Sequence, residues 1–394
     1  MSNPTQHLST TKPDESAGET IKTANSHSGR LFPQIVSMLP TYRCTAACEN
    51  CCFDSNPQVK GQIPLERILK YVDEAAALET VKLFVLSGGE AFLLGKNLEV
   101  IIERATSLGL QTRIVTNGYW ATNYKNSEKR LSRLWAAGLR ELNLSTGDYH
   151  QKFVPIERVI YGAKAAVDLG MHVVIMVESF DNSNIDSENL KNHPLIQEIL
   201  ADEEKDSRLS ILQSPWMTRG ESRHGNNERY IKAGDYVVPN AENLVNRQNL
   251  SMRRGCTSVL NTLTITPYER VGACCGLPRE EIPELDIGSA REEGLEKCYE
   301  TGRNDFLKMW LAIEGPEHIL AWANEYDTTI EWENLYGHQC DACRAVYQNP
   351  KVATVIKEHY RDKLPDVLLQ FLALDKAESA RTINNKTACI ETVR

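Results

Sequence analysis

Four cysteines fall within the nine residues 44–52, in the stretch RCTAACENCCF (43–53), and the chain carries eleven in all. Cys44, Cys48 and Cys51 have the spacing C-x3-C-x2-C. Gaps this short let one loop aim three thiolates at one centre. Three chemistries compete for such a loop: disulfides, a structural zinc with Cys52 as fourth ligand, or an iron–sulfur cluster. Adjacent Cys51 and Cys52 would have difficulty entering a single zinc tetrahedron. A four-iron cube normally takes four cysteines. Three cysteines leave one iron with an open coordination position, and an open position marks a reactive rather than a structural metal site.

A second set lies far downstream. Seventeen residues separate Cys256 from Cys274, Cys275 follows at once, and Cys340 and Cys343 form C-x2-C. Two cysteines on the arms of a hairpin and two on a later turn can converge on one centre. Cys274 and Cys275 compete for one place in it. Zinc is the alternative occupant, since C-x2-C is common in zinc ribbons. Cys298, within EEGLEKCYETG, reads as a helix cysteine with no ligand role.

Composition narrows the choice. The chain has 394 residues, 41% apolar and 25% charged, as in globular proteins, and its length suggests two domains or one with an appendage. A net charge of −9 argues against a nucleic-acid surface. The sequence has no apolar run of the length that crosses a membrane. The start, MSNPTQHLSTTKPDESAGETIKTANSHSGR, has no apolar core, is not a signal peptide, and reads as disordered over 1–30. These features predict a cytoplasmic protein, where thiols stay reduced and clustered cysteines read as metal ligands.

The elements that must position the cysteines follow from periodicity. Between about 35 and 215, apolar runs alternate with helical patterns. Strands are expected at 34–40, 81–89, 110–118, 141–147, 172–179 and 208–216, with helices at 63–79, 96–108, 127–137, 155–170 and 188–201. This alternation predicts a parallel sheet with right-handed crossovers, open or barrel-like, whose chemistry belongs at the C-terminal strand ends. The cysteine loop follows the first strand, Gly88 and Gly89 the second, Asn117 and Gly118 the third, and Ser145 to His150 the fourth. After a polar linker over 226–255, residues 256–276 alternate like a β-hairpin. A helical region over about 288–326, the C-x2-C group and a C-terminal helix at 364–379 follow.

With its place in that array, C-x3-C-x2-C resembles the motif of the radical SAM superfamily, as does SGGE (87–90) after the second strand. The resemblance covers about 35–220. It implies an α/β fold, a partial (β/α)6 barrel over 31–225. It implies that Cys44, Cys48 and Cys51 hold a 4Fe–4S cluster that cleaves S-adenosyl-L-methionine to a 5′-deoxyadenosyl radical, which abstracts a hydrogen atom. Ser87, Gly88, Gly89, Glu90, Asn117, Ser145, Glu178 and Arg219 would contact that cofactor. Two positions depart from the pattern. Asn50 stands where an aromatic residue near the adenine is usual, with Phe53 the candidate substitute, and Gly147 stands where Asp is usual. Asp148, Tyr149 and His150 are candidates to face the substrate.

The second set resembles the twitch form of the SPASM domain, an α+β unit over 256–350 followed by a helix and polar tail over 351–394. It implies an auxiliary 4Fe–4S cluster held by Cys256, Cys274, Cys340 and Cys343, and hence about eight irons per chain. Val271 favours Cys274 over Cys275, and Glu269 stands where glycine is usual in the turn. The resemblance to the peptide-maturing branch implies a ribosomally made precursor peptide as substrate and an oxidative side-chain crosslink as product. It also implies an electron donor such as flavodoxin or ferredoxin, and leader recognition by the linker, the twitch region or a separate leader-binding protein. The alternatives are a dehydrogenase acting on a small molecule such as a sugar, or a maturase of another enzyme.

Overall fold

The computed structural model describes residues 32–49, 51–180, 183–215, 243–277 and 279–391, with side chains as far as 376. The segment 1–30, Asn50, Arg219 and much of the expected linker lie outside the described residues.

The six expected strands form: β1 (Ile35–Met38), β2 (Leu83–Leu86), β3 (Gln111–Thr116), β4 (Glu141–Thr146), β5 (His172–Ser179) and β6 (Leu209–Pro215). They pair in sequence order and in parallel. On β1, Val36 and Met38 are fully buried in the core, while Ile35 and Ser37 line an internal cavity. Burial on both faces explains why these strands read as near-continuous apolar runs. The helices Leu65–Ala77, Asn97–Ser107, Tyr124–Ala137 and Ile156–Asp168 fall where periodicity put them. Each turns one apolar stripe inward, as Ile68, Tyr71, Val72 and Ala75 do on the first. The helix expected at 188–201 is broken into Ser187–Lys191, Pro194–Leu200 and Glu203–Asp206, with Pro194 starting the second piece.

The C-terminal half shares this sheet. β7 (Thr262–Ile265) pairs in parallel with the free edge of β1, Ile35 opposite Thr262 and Met38 opposite Ile265. β8 (Arg270–Gly272) and β9 (Asp286–Ser289) extend it antiparallel, giving among the described residues nine strands in the order 6-5-4-3-2-1-7-8-9. The expected hairpin is therefore real but shorter than 256–276, and its first arm continues the parallel array. The start of the region read as helical is strand β9, and helices Leu295–Arg303, Phe306–Ile313 and Pro316–Tyr326 fill the rest.

Glu269 occupies the hairpin turn with φ 62°, a conformation that favours glycine. Its carboxylate receives the Tyr71 hydroxyl and pairs with Arg67 at 2.5 Å, so the strained residue fastens the turn to helix Leu65–Ala77. Leu295 N–H donates to Glu74 Oε2 of the same helix at 3.0 Å. The C-terminal helix begins at Pro350 rather than near 364 and runs to Glu391, with Pro365 inside it. No helix of the described residues is long and apolar enough to cross a membrane.

The shared sheet makes a mechanical prediction. Leu263 on β7 is fully buried in the common core. Leu263→Ala should cost about 2–5 kcal/mol and lower the unfolding of both halves together, as one transition by circular dichroism and tryptophan fluorescence. Two separated transitions, with only one of them shifted, would contradict a single sheet.

Candidate active site

The cysteine loop is held by backbone bonds to the turn after β2. Ser87 N–H donates to Met38 O, Gly89 N–H to Thr41 O at 2.8 Å, and Glu90 N–H to Arg43 O at 3.0 Å. These bonds require glycine. A Cβ on Gly88 would stand 2.5 Å from Thr41 O, and one on Gly89 only 2.1 Å from Arg43 O. Gly88 also has φ +108°.

Cys44, Cys48 and Ala46 form a small buried cluster, against which Cys51 and Tyr149 pack. Cys44 is 8% exposed and Cys48 6%. Burial pushes the Cys44 thiol up to about 12, with the charges of Glu90 and Cys51 adding to the shift. Burial raises Cys48 further, helped by Cys51, Cys44 and Glu178. Thiolates crowded this way need a cation to hold their charge. The sulfurs are also supplied with donors: Ala46 N–H to Cys44 Sγ at 3.4 Å and Ser55 N–H to Cys51 Sγ at 3.4 Å. Among the described residues no group of three His, Cys, Asp or Glu is drawn together as for one metal ion. A four-iron cube is wider than a lone ion, and three gathered, donor-assisted thiols suit it.

All three cysteines line a cavity of about 440 Å³, within the usual range for ligand sites. Ser87, Gly88, Gly89, Asn117, Ser145 and Glu178 line it too. Glu90 does not: its carboxylate is fully buried behind the turn. There it accepts the Thr116 hydroxyl at 2.7 Å, Asn117 N–H at 2.9 Å and Phe92 N–H at 3.0 Å. These bonds join the ends of β2 and β3, two on Oε1 and one on Oε2.

Gly147, the departure after β4, has a steric reason. It has φ +141°, and a Cβ there would lie 2.0 Å from Glu178 Cγ. Removing the usual side chain admits the Glu178 carboxylate, which accepts Tyr149 N–H at 2.7 Å and stands 3.6 Å from His150 Nδ1. Of the substrate-facing candidates, His150 lines the cavity. Asp148 instead ties down residues 184–185, accepting Asn184 N–H at 2.8 Å and Ile185 N–H at 2.9 Å. Phe53 lines the cavity and stacks on Tyr42, with ring centroids 5.6 Å apart.

The second set also gathers. Cys274 is buried, and its thiol is raised by burial and then by the charges of Cys256, Cys275 and Cys340. Cys343 is raised well above its ordinary value by burial, then by Cys274, Cys256 and Cys340. Cys340 and Cys343 sit in the first two turns of helix Gln339–Gln348, where a spacing of three puts both on one face. His338 caps this helix, Nδ1 accepting from Cys340 N–H at 3.0 Å. Burial lowers its pKa, which keeps the imidazole neutral and able to accept. Cys298 is buried in the core, as expected of a packing residue.

Cys275 is exposed and lines the same cavity, with its sulfur 3.3 Å from Ser258 Oγ. Cys52 lines it as well, and Cys340 feels the charge of both. The cavity wall thus joins the first cysteine loop to Cys275, while Cys256, Cys274, Cys340 and Cys343 are not among its lining residues. Sequence reasoning missed this role of Cys275, although neighbouring residues of an extended chain point to opposite faces. It also missed Arg279, Glu281 and Arg344, which close one wall. Arg344 bridges Glu281 at 3.2 Å and Asp341. These three come from two separate elements, and no local pattern joins them.

Residues 38–178 match the family model for the Radical SAM superfamily. Over that stretch the chain is similar to the radical SAM domain. It is related to YydG of Bacillus subtilis (strain 168), a protein named for peptide biosynthesis, with 26% identity over 157 residues. That alignment covers 39% of this chain and 49% of YydG, so the chain spans about half the length of that relative. Two solved structures are similar at lower identity. Streptococcus suis SuiB bound to its precursor peptide SuiA has 15% identity and a TM-score of 0.48, covering 84% of this chain and 83% of SuiB. anSMEcpe with bound AdoMet and the peptide Cp18Cys has 13% identity and a TM-score of 0.46, covering 88% of this chain and 99% of that one.

The exposure difference in the adjacent pair is directly testable. Brief iodoacetamide treatment of the folded, anaerobic protein should modify Cys275 and spare Cys274, as read by peptide mass spectrometry. Preferential modification of Cys274 would contradict this geometry.

Proposed function

We propose that this chain is a radical SAM enzyme acting on a ribosomally made precursor peptide. One observation carries the reading: the C-x3-C-x2-C cysteines, the SGG turn and the ends of β4 and β5 open on one cavity, with Cys275 on its wall. Cys44, Cys48 and Cys51 would hold a 4Fe–4S cluster with one open iron. Ser87, Gly88, Gly89, Asn117, Ser145 and Glu178 would line S-adenosyl-L-methionine, and Arg219 is proposed for its carboxylate. The group held there would supply hydrogen-atom abstraction chemistry, and these residues would orient it towards the substrate. Cys256, Cys274, Cys340 and Cys343 would hold an auxiliary 4Fe–4S cluster, which, fully ligated, supplies one-electron transfer. The relation to YydG supports a peptide substrate. A flavodoxin or ferredoxin as electron donor and a separate leader-binding protein complete the proposal.

The fate of the substrate radical has two readings. In the first it loses one electron and one proton, forms a C–C side-chain crosslink, and the peptide ends two hydrogens lighter. The exposed thiol of Cys275 on the cavity wall favours a second. There the S–H hydrogen passes to the substrate carbon. The sulfur radical left on Cys275 is restored by one electron and one proton from an external one-electron donor. The peptide then keeps its mass but exchanges one hydrogen.

Anaerobic incubation in D2O with the short peptides encoded beside its gene separates these fates. Crosslinking gives a peptide lighter by two hydrogens, and hydrogen return gives a gain of one deuterium that Cys275→Ala abolishes. With Cys340→Ala, cofactor cleavage should continue while modified peptide disappears. Oxidation of a sugar, with every peptide unchanged, would overturn the peptide reading.

A further inference from the structure

Asn117 stands on the loop leaving β3, buried, at the edge of the cavity. Its side-chain oxygen accepts the backbone N–H of Tyr119 at 3.0 Å. That bond fixes which end of the amide is which, because a backbone N–H can meet only the oxygen. The nitrogen therefore faces the cysteine loop. Nδ2 donates to Cys44 Sγ at 3.5 Å and to Thr45 Oγ1 at 3.2 Å.

The residue is held there from behind. Glu90 Oε2 accepts the Asn117 N–H at 2.9 Å, and Glu90 Oε1 accepts the Thr116 hydroxyl at 2.7 Å. Thr116 Oγ1 in turn accepts from Gly118 N–H and from Trp120 Nε1, both at 3.1 Å. Trp120 stacks on Phe92, ring centroids 4.3 Å apart. A fully satisfied buried network of this kind fixes its members rigidly. Its outward face is the Asn117 amide nitrogen, which donates to the sulfur of Cys44 and to Thr45 Oγ1.

We propose that Asn117 is a positioning residue that raises the reduction potential of the cluster on Cys44, through its amide hydrogen bond to that sulfur. Reduction adds one electron and one negative charge to the cluster, and a donor on a ligand sulfur favours the more negative state. The inference rests on the proposed function, in that Cys44 must ligate the S-adenosyl-L-methionine cluster.

The test is an EPR-monitored redox titration of the reconstituted full chain, following the signal that S-adenosyl-L-methionine perturbs. Asn117→Ala should make reduction about tenfold less favourable, a shift of about 59 mV to lower potential for a one-electron couple. Asn117→Ser keeps an oxygen for Tyr119 N–H but is too short to reach the sulfur, and should shift the potential equally. An unmoved potential with iron retained overturns the inference. So does loss of iron in both variants, which would make the residue structural only. Absence of any cofactor-sensitive signal in the unaltered protein would instead overturn the functional reading on which the inference rests.

Discussion

Strand β1 is hydrogen-bonded along both edges, to β2 on one side and to β7 on the other. The position of every chemically active group follows from that. The cysteine loop leaves β1, and the glycine turn that grips this loop leaves β2. The hairpin carrying Cys274 and Cys275 grows from β7. A strand paired on one edge only could not carry the cysteine loop beside the chain that brings Cys275 to the same cavity. The sheet therefore does the work that a domain interface would otherwise have to do, and the parallel register from Ile35 to Met38 sets the spacing between the two sets.

The electrostatics of the cavity follow from burial. The cysteines are removed from water and placed near one another, and near Glu90 and Glu178, so burial and the charges of Cys51, Cys44 and Glu178 all discourage the Cys48 thiolate. Left alone, such a loop holds protonated sulfur. Backbone N–H groups at Cys44 and Cys51 and the Asn117 amide act in the opposite direction. The site is thus ready for a positively charged centre and costly without one, as expected of sulfurs meant to be metal ligands.

Much of this was legible in the sequence, and for identifiable reasons. Strand and helix periodicity placed β1 to β6 because parallel strands buried on both faces are continuous in sequence. Gly88 and Gly89 stood out because close backbone approach leaves no other residue possible. The departures were visible but their meaning was not. Gly147 makes room for Glu178, thirty-one positions on, and Glu269 accepts a strained φ to bind Arg67 and Tyr71. Both are long-range compensations, which no local pattern encodes. The motif marks Glu90 as a residue of the β2 end, but the three donors that its carboxylate takes from the β2 and β3 ends come from the fold and have no local pattern. The pairing of β7 with β1 was likewise illegible, since the polar stretch between β6 and β7 reads as a boundary between separate units.

The central claim is that three cysteines on the β1 loop leave one corner of an iron–sulfur cube open to S-adenosyl-L-methionine. Reconstituted anaerobically, reduced and given that cofactor, the protein should release 5′-deoxyadenosine, and Cys48→Ala should release none. A colourless, zinc-loaded protein that yields no 5′-deoxyadenosine under the same conditions would contradict the account.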